Sequence, residues 1–173
     1  MESLAPQDSP DPLVQSLYAR LRALAERLLP RRSREPLDPT ELVHECYLRL
    51  AQLDRFEDRG EHAFAALAAY TMRAVLVDQA RRRRAAKRGS GWERISLDAI
   101  AAREQDVDVI VIDELLDRLA ALAPRQAQVV ELRFFGGLTV EETAHALSAT
   151  PRAVERDWTM ARAWLRARLE PRP

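Results

Sequence analysis

Apolar residues recur at helical spacing along almost the whole chain, and the breaks between those runs outline the elements. Leu13, Leu17, Leu21, Leu24 and Leu28 form a continuous stripe, which predicts a helix over 13–29. A basic, proline-bounded loop follows at 30–36. Asp38-Pro39-Thr40-Glu41 then reads as a helix start that runs to about Leu53, because proline suits the first helical turn. A polar, Gly-containing loop occupies 54–62. The run 63–88 is apolar at first and intensely basic at its end, and Gly89-Ser90-Gly91 stops it. Residues 92–108 have mixed polarity and read as a tether with room for a short helix. Helical patterning resumes at 109–122, 124–135, 139–147 and 151–169. The pattern therefore predicts an all-α protein of two small helical domains, 12–88 and 109–170. A flexible lead at 1–11 and a flexible linker at 89–108 complete the chain.

The last two helices carry the most specific local signal. Thr139 and Glu142 have the spacing of a capping box, which satisfies two N–H groups at a helix start. Val140, Ala144 and Leu147 share one face, and Ala144 is small where a second helix must cross closely. Ser148-Ala149 forms the turn, Thr150 is placed to cap, and Pro151 opens the second helix. There Val154, Trp158, Ala161 and Leu165 make the inward stripe. Arg152, Glu155, Arg156 and Thr159 are left on the outward face near its N-terminus. This is the pattern of a helix-turn-helix, whose second helix enters the major groove of DNA. In that groove Arg reads guanine and Glu accepts from cytosine. Arg162 and Arg166, farther along, suit phosphates, which position the helix without carrying sequence information.

The charge distribution supports a nucleic-acid partner although the formal net charge is zero. Between 73 and 88, Arg73, Arg81, Arg82, Arg83, Arg84, Lys87 and Arg88 stand against the single acid Asp78. Between 104 and 117 there are six acids and no base. Fields are screened within about 8 Å at physiological salt, so each block acts locally and the sum is uninformative. Four consecutive arginines surround a helix and cannot all serve one salt-bridge stripe. The acidic block is placed to compete with DNA for the basic surfaces. The single Cys46 excludes an internal disulfide framework and suits a reducing cytoplasm. The longest uncharged apolar run, 63–72, falls far short of the ~20 residues that span a bilayer, so no membrane insertion is expected.

Two blocks in the right order resemble a bacterial sigma-70 family RNA polymerase sigma factor of the extracytoplasmic-function (ECF) type. The first is Glu41-Leu-Val-His-Glu-Cys-Tyr-Leu-Arg-Leu50. The second runs from Leu122-Ala-Pro-Arg-Gln through Val130-Glu-Leu-Arg-Phe and Gly137-Leu-Thr-Val-Glu-Glu-Thr-Ala to Val154 and beyond. The chain departs from the family pattern in several places. Ser148 stands where the turn commonly has Gly, His44 stands where Gln is usual, and the third helix lacks the family's Trp-Leu pair and Asn. With the variants Phe134-Phe-Gly-Gly137 and Arg156-Asp-Trp158, the resemblance implies a divergent subgroup of the family.

The resemblance implies a role for each half. The helix 40–53 would dock on the clamp helices of core RNA polymerase through Leu42, Val43, Glu45 and Arg49, with Leu48 and Leu50 shared with the core. The loop bearing Arg55, Phe56, Arg59 and His62 would capture an extruded base of the minus-ten promoter element. The basic series from Arg73 to Arg88 would hold the phosphates of the melted strand. The C-terminal domain would read the minus-thirty-five element. Core polymerase and promoter DNA are thus the expected partners, and an anti-sigma factor is a further one the resemblance allows. The alternative is a free-standing regulator that binds operator DNA without polymerase. Neither the helix 41–50 nor the basic third helix has a use in such a protein. An enzyme is not expected: His44-Glu45 lacks the second His of a zinc motif, and Gly136-Gly137 has no following Lys to cradle phosphate. No cofactor, metal or small-molecule substrate is expected.

Overall fold

The computed structural model describes residues 12–29, 38–52, 61–86, 94–96 and 106–169. Among these residues seven α-helices carry the fold: α1 (Pro12–Leu28), α2 (Pro39–Ala51), α3 (Glu61–Ala86), α4 (Val109–Leu122), α5 (Pro124–Val130), α6 (Val140–Ala146) and α7 (Pro151–Leu169). The protein is all-α apart from a ribbon of two antiparallel strands, β1 (Arg94–Ser96) and β2 (Asp106–Asp108), in which Ile95 pairs with Val107. This ribbon lies where the sequence suggested a tether with a short helix. Asp108 ends it and caps the next element, its carboxylate accepting from the Ile110 N–H at 2.9 Å.

Local chemistry sets the helix ends. Asp38 caps α2 by accepting from the Thr40 N–H at 2.8 Å, with Pro39 in the first turn. Ala123 precedes Pro124 and adopts φ −148°, ψ 77°, which ends α4 and starts α5 without a shared helix. Downstream of α5 the chain widens into one π-helical turn, Glu131–Phe135. Such turns are rare and occur mostly as single-turn bulges within α-helices. Here Leu132, Phe134 and Phe135 all point into the core, and the two phenyl rings meet edge to face at 4.9 Å.

One buried apolar cluster runs through both helical halves. Leu21, Leu24 and Leu28 of α1 and Leu42, Val43, Cys46 and Leu50 of α2 line its first part. Ile112, Leu116 and Leu119 of α4 join Val129, Phe134, Phe135, Val154 and Leu165 in the second. Helix α3 belongs to both. It packs on α2 and also on α4, the π turn and α6, burying Ala65, Ala68, Ala69, Met72, Val75, Leu76 and Ala80. A helix covered on two sides needs no single apolar stripe, which is why its pattern reads as apolar all round before the arginines begin.

The junction between the halves depends on glycine. A Cβ on Gly136 would lie 2.8 Å from the Ala69 Cβ of α3 and 2.5 Å from the Leu132 carbonyl oxygen. Gly137 has φ +63°, and a Cβ there would lie 2.5 Å from Leu24 of α1. At these two residues the glycine backbone packs directly against the side chains of Ala69 on α3 and Leu24 on α1.

Candidate nucleic-acid interface

The helix-turn-helix forms from α6, a short turn and α7. Thr139 accepts from the Glu142 N–H at 3.1 Å, and the Glu142 carboxylate accepts from the Thr139 N–H at 2.7 Å. The capping box is therefore complete, and it holds the Glu142 carboxyl below its usual range, chiefly through that backbone bond. The turn passes through Ser148 at φ +49°, the sole non-glycine residue with positive φ among the described residues. Thr150 then caps α7, accepting from the Ala153 N–H at 3.2 Å. Ala144 is buried where α6 meets α7.

Val154, Trp158, Ala161 and Leu165 face the core as their spacing predicted. Arg152, Glu155, Arg156 and Thr159 are all exposed on the opposite face, in the first turns of α7. The Thr159 hydroxyl donates to the Glu155 backbone carbonyl at 2.8 Å, leaving its oxygen able to accept. Unpaired N–H groups and the dipole at a helix start add positive potential there, which favours a polyanion. Arg162 is half-buried with its guanidinium 5.8 Å from the centre of the Trp158 ring, and Arg166 is half-buried too.

Two supporting features had no legible signal in the sequence. Arg133 of the π turn lies 4.7 Å over the Trp158 ring, so the indole meets a second guanidinium beside Arg162. Burial, and then the nearby Arg162 charge, pull the Arg133 pKa down, and an anion beside the pair would offset the repulsion between the two guanidinium groups. Asp157 is buried within α7 and accepts from Arg125 at the start of α5, tying α7 to α5. The partners are 32 residues apart, so no short spacing pattern reveals the pair.

The first half departs from expectation more. Leu42 and Val43, expected at a polymerase surface, are 0% exposed and belong to the core. Helical periodicity fixes a face without saying which way it points, and here the Leu42–Val43 face points inward. Leu48, expected in the core, is 45% exposed, while Leu50 is buried. The outward face of α2 instead carries Glu41, His44 and Leu48, flanked by half-buried Glu45 and Arg49. Arg49 bridges Glu45 at 3.0 Å and Asp78 of α3 at 2.9 Å, which ties α2 to α3.

Arg73, expected among the strand contacts, is turned inward. Its guanidinium meets Asp113 at 2.7 Å, Asp117 at 2.7 Å and Glu131 at 3.4 Å, and the side chain is only 13% exposed. Burial lowers the pKa of this arginine, but the three carboxylates more than offset it and raise the value overall. Arg81 is exposed and still reaches Asp113 at 3.2 Å. Arg82 and Arg84 are exposed and Arg83 is half-buried at the end of α3. Arg55, Phe56, Arg59, Lys87 and Arg88 lie outside the described residues, and so does the side chain of His62, which falls in the first turn of α3. Among the described residues, no group of His, Cys, Asp and Glu is placed to hold a metal, and no helix is long and apolar enough to cross a membrane.

A helix-turn-helix with four outward polar residues on its second helix, joined to a helical unit with a basic end, is the architecture of a DNA-binding transcription protein. Compared with known protein families, residues 6–171 match the ECF sigma factor family, and the chain belongs to it. Membership makes it an RNA polymerase sigma factor in role, in a family of non-enzymatic transcription factors. No curated protein and no solved structure matches.

Proposed function

We propose that this sigma factor directs promoter-specific initiation by dividing recognition between its two halves. The N-terminus of α7 reads the minus-thirty-five element, with Arg152 and Arg156 on base acceptors, Glu155 on a cytosine amino group and Thr159 beside them. Arg162, Arg166 and Arg133 hold flanking phosphates. The segment carrying Arg55, Phe56, Arg59 and His62 captures a base of the minus-ten element, and Arg81 to Arg84 with Lys87 and Arg88 track the melted strand. Core polymerase docks on the outward face of α2, through Glu41, His44, Glu45 and Leu48. The observation that carries this reading is the outward quartet at the start of α7 within a chain matched along nearly its whole length to ECF sigma factors.

The test is run-off transcription from a promoter library with core polymerase, with and without the protein. Initiation that depends on the protein, and on paired upstream elements in the selected promoters, is the expected result. Tight duplex binding by the protein alone, with no protein-dependent initiation, would instead identify an operator-binding regulator.

A further inference from the structure

The seam between the halves is polar in one direction. In four arginine contacts across it among the described residues, the charged donor comes from α1 or α3 and the acceptor from the C-terminal helices. Arg20 reaches Glu142 at 3.3 Å, Arg27 donates to the Phe134 carbonyl, and Arg73 and Arg81 share Asp113. Asp113 and Asp117 stand one turn apart on α4, and Glu131 opens the π turn. Three carboxylates from two elements thus converge on one guanidinium, as phosphate oxygens would.

The cluster is also incompletely satisfied. The second carboxylate oxygen of Glu131, Oε1, is buried with no hydrogen-bond partner. Burial pushes the Glu131 carboxyl up, against the pull of Arg73. Like charges held together at cost, opposite a cation that other anions can claim, make an arrangement that is stable only while nothing competes for the arginines.

We propose that Arg73, Arg81, Asp113, Asp117 and Glu131 form an intramolecular latch, in which the acidic face of α4 stands in for nucleic acid on the basic side of α3 and keeps the two halves shut. Opening the latch releases Arg73 and Arg81 to a phosphate backbone and separates the two reading units, so the protein alone binds DNA weakly. This rests on the proposed promoter-binding role in one respect, that the displacing polyanion is DNA.

The test uses the full chain with Ala23→Cys on α1 and Ala163→Cys on α7, both exposed sites, labelled as a fluorescent donor–acceptor pair. Cys46 is fully buried and does not compete for label. The latch variant is Asp113→Asn with Asp117→Asn. Its control, Glu114→Gln with Glu26→Gln, changes net charge equally and leaves Arg73 untouched. We expect high transfer in the parent and the control, low transfer in the latch variant, and about tenfold tighter binding of a short single strand by the latch variant than by the control, as two more phosphate contacts would give. Equal transfer and equal affinity in variant and control overturn the latch. Should the latch variant lose helical circular dichroism, the pair Arg73→Lys and Arg73→Met decides. High transfer in Arg73→Lys with low transfer in Arg73→Met supports the latch; equal transfer in both overturns it. Run-off transcription with the parent separates the two failures. If the parent gives no initiation, the promoter role falls, while transfer against salt still measures the latch.

Discussion

Helices α3 and α7 are the two long arginine-rich helices of the molecule, and they use their arginines in opposite ways. Helix α7 buries one stripe, so the arginines off that stripe stay at the surface wherever they fall in its first turns. Helix α3 is covered by α2 on one side and by α4 and the π turn on another, so an arginine in its middle has nowhere to go but into a partner's charge. Arg73 is the result: 13% exposed and held by three acids, while Arg156 of α7 is 64% exposed with its closest acid, Asp157, at 4.0 Å. Availability to DNA is therefore set by how many faces a helix buries, and only secondarily by how many arginines it carries.

The sharpest way to break this comparison is to remove the guanidinium from each helix. Truncating one partner of a buried ion cluster leaves the others uncompensated and costs about 3–5 kcal/mol. Arg73→Ala is expected to lose that much of the free energy that keeps the halves closed, read as faster hydrogen exchange through α4 and the π turn. Exchange in those segments matching the parent would show that Arg73 holds nothing together. Next in size is Arg156→Ala, which should leave thermal stability within about 0.5 kcal/mol, as for an exposed helix position. It should weaken binding to the selected minus-thirty-five element by about 1–3 kcal/mol, the worth of one base contact, and relax specificity at a single position. Uniform weakening on all duplexes would instead make Arg156 a phosphate contact.

The same contrast explains what could be read from the sequence. The one-sided helices α6 and α7 gave up their caps, inward stripe and outward quartet directly, because one stripe and its complement are both encoded at 3.6-residue spacing. In α2 the stripe is legible but its direction is not, which is why the structure buries Leu42 and Val43 and exposes Leu48 against expectation. The docking of α3 against the C-terminal helices was least legible. It rests on partners 40 to 58 residues apart in the Arg73 cluster, and on two adjacent glycines that look like a simple loop. The block of acids around Asp113 and the block of bases around Arg81 did foreshadow it, as charges of opposite sign available to meet.

A smaller effect tests how α6 is tied to the first half. Glu142 serves both its own helix cap and Arg20 of α1. Glu142→Gln should cost about 1 kcal/mol at neutral pH, the usual worth of a cap. The carboxyl is held below its ordinary value, so the stability it contributes is present above the unfolded pKa of about 4.3 and is lost as pH falls through the lowered folded value. The difference in melting temperature between parent and variant should therefore shrink as pH drops below about 4. A difference that stays constant with pH would assign the loss to packing rather than charge.

The smallest expected effect lies at the turn between the two reading helices. Ser148 holds φ +49°, a left-handed conformation that costs an L-residue with a Cβ about 1–2 kcal/mol. Glycine removes that cost but loses more chain entropy on folding, by about 0.5–1 kcal/mol. The two terms leave Ser148→Gly stabilising by between about 0 and 1.5 kcal/mol, with a middle value of about 0.75 kcal/mol. The side chain is exposed, so no packing is lost by removing it. The gain should appear as a higher melting temperature with unchanged affinity for the minus-thirty-five element, since the turn sets the angle between α6 and α7 and both residues accept the same φ. Ser148→Val should act oppositely, because a β-branched residue is poorly tolerated at positive φ. If glycine raised stability and also altered which promoters are selected, the serine would be holding α7 at an angle of its own, and the turn would be part of the reading unit.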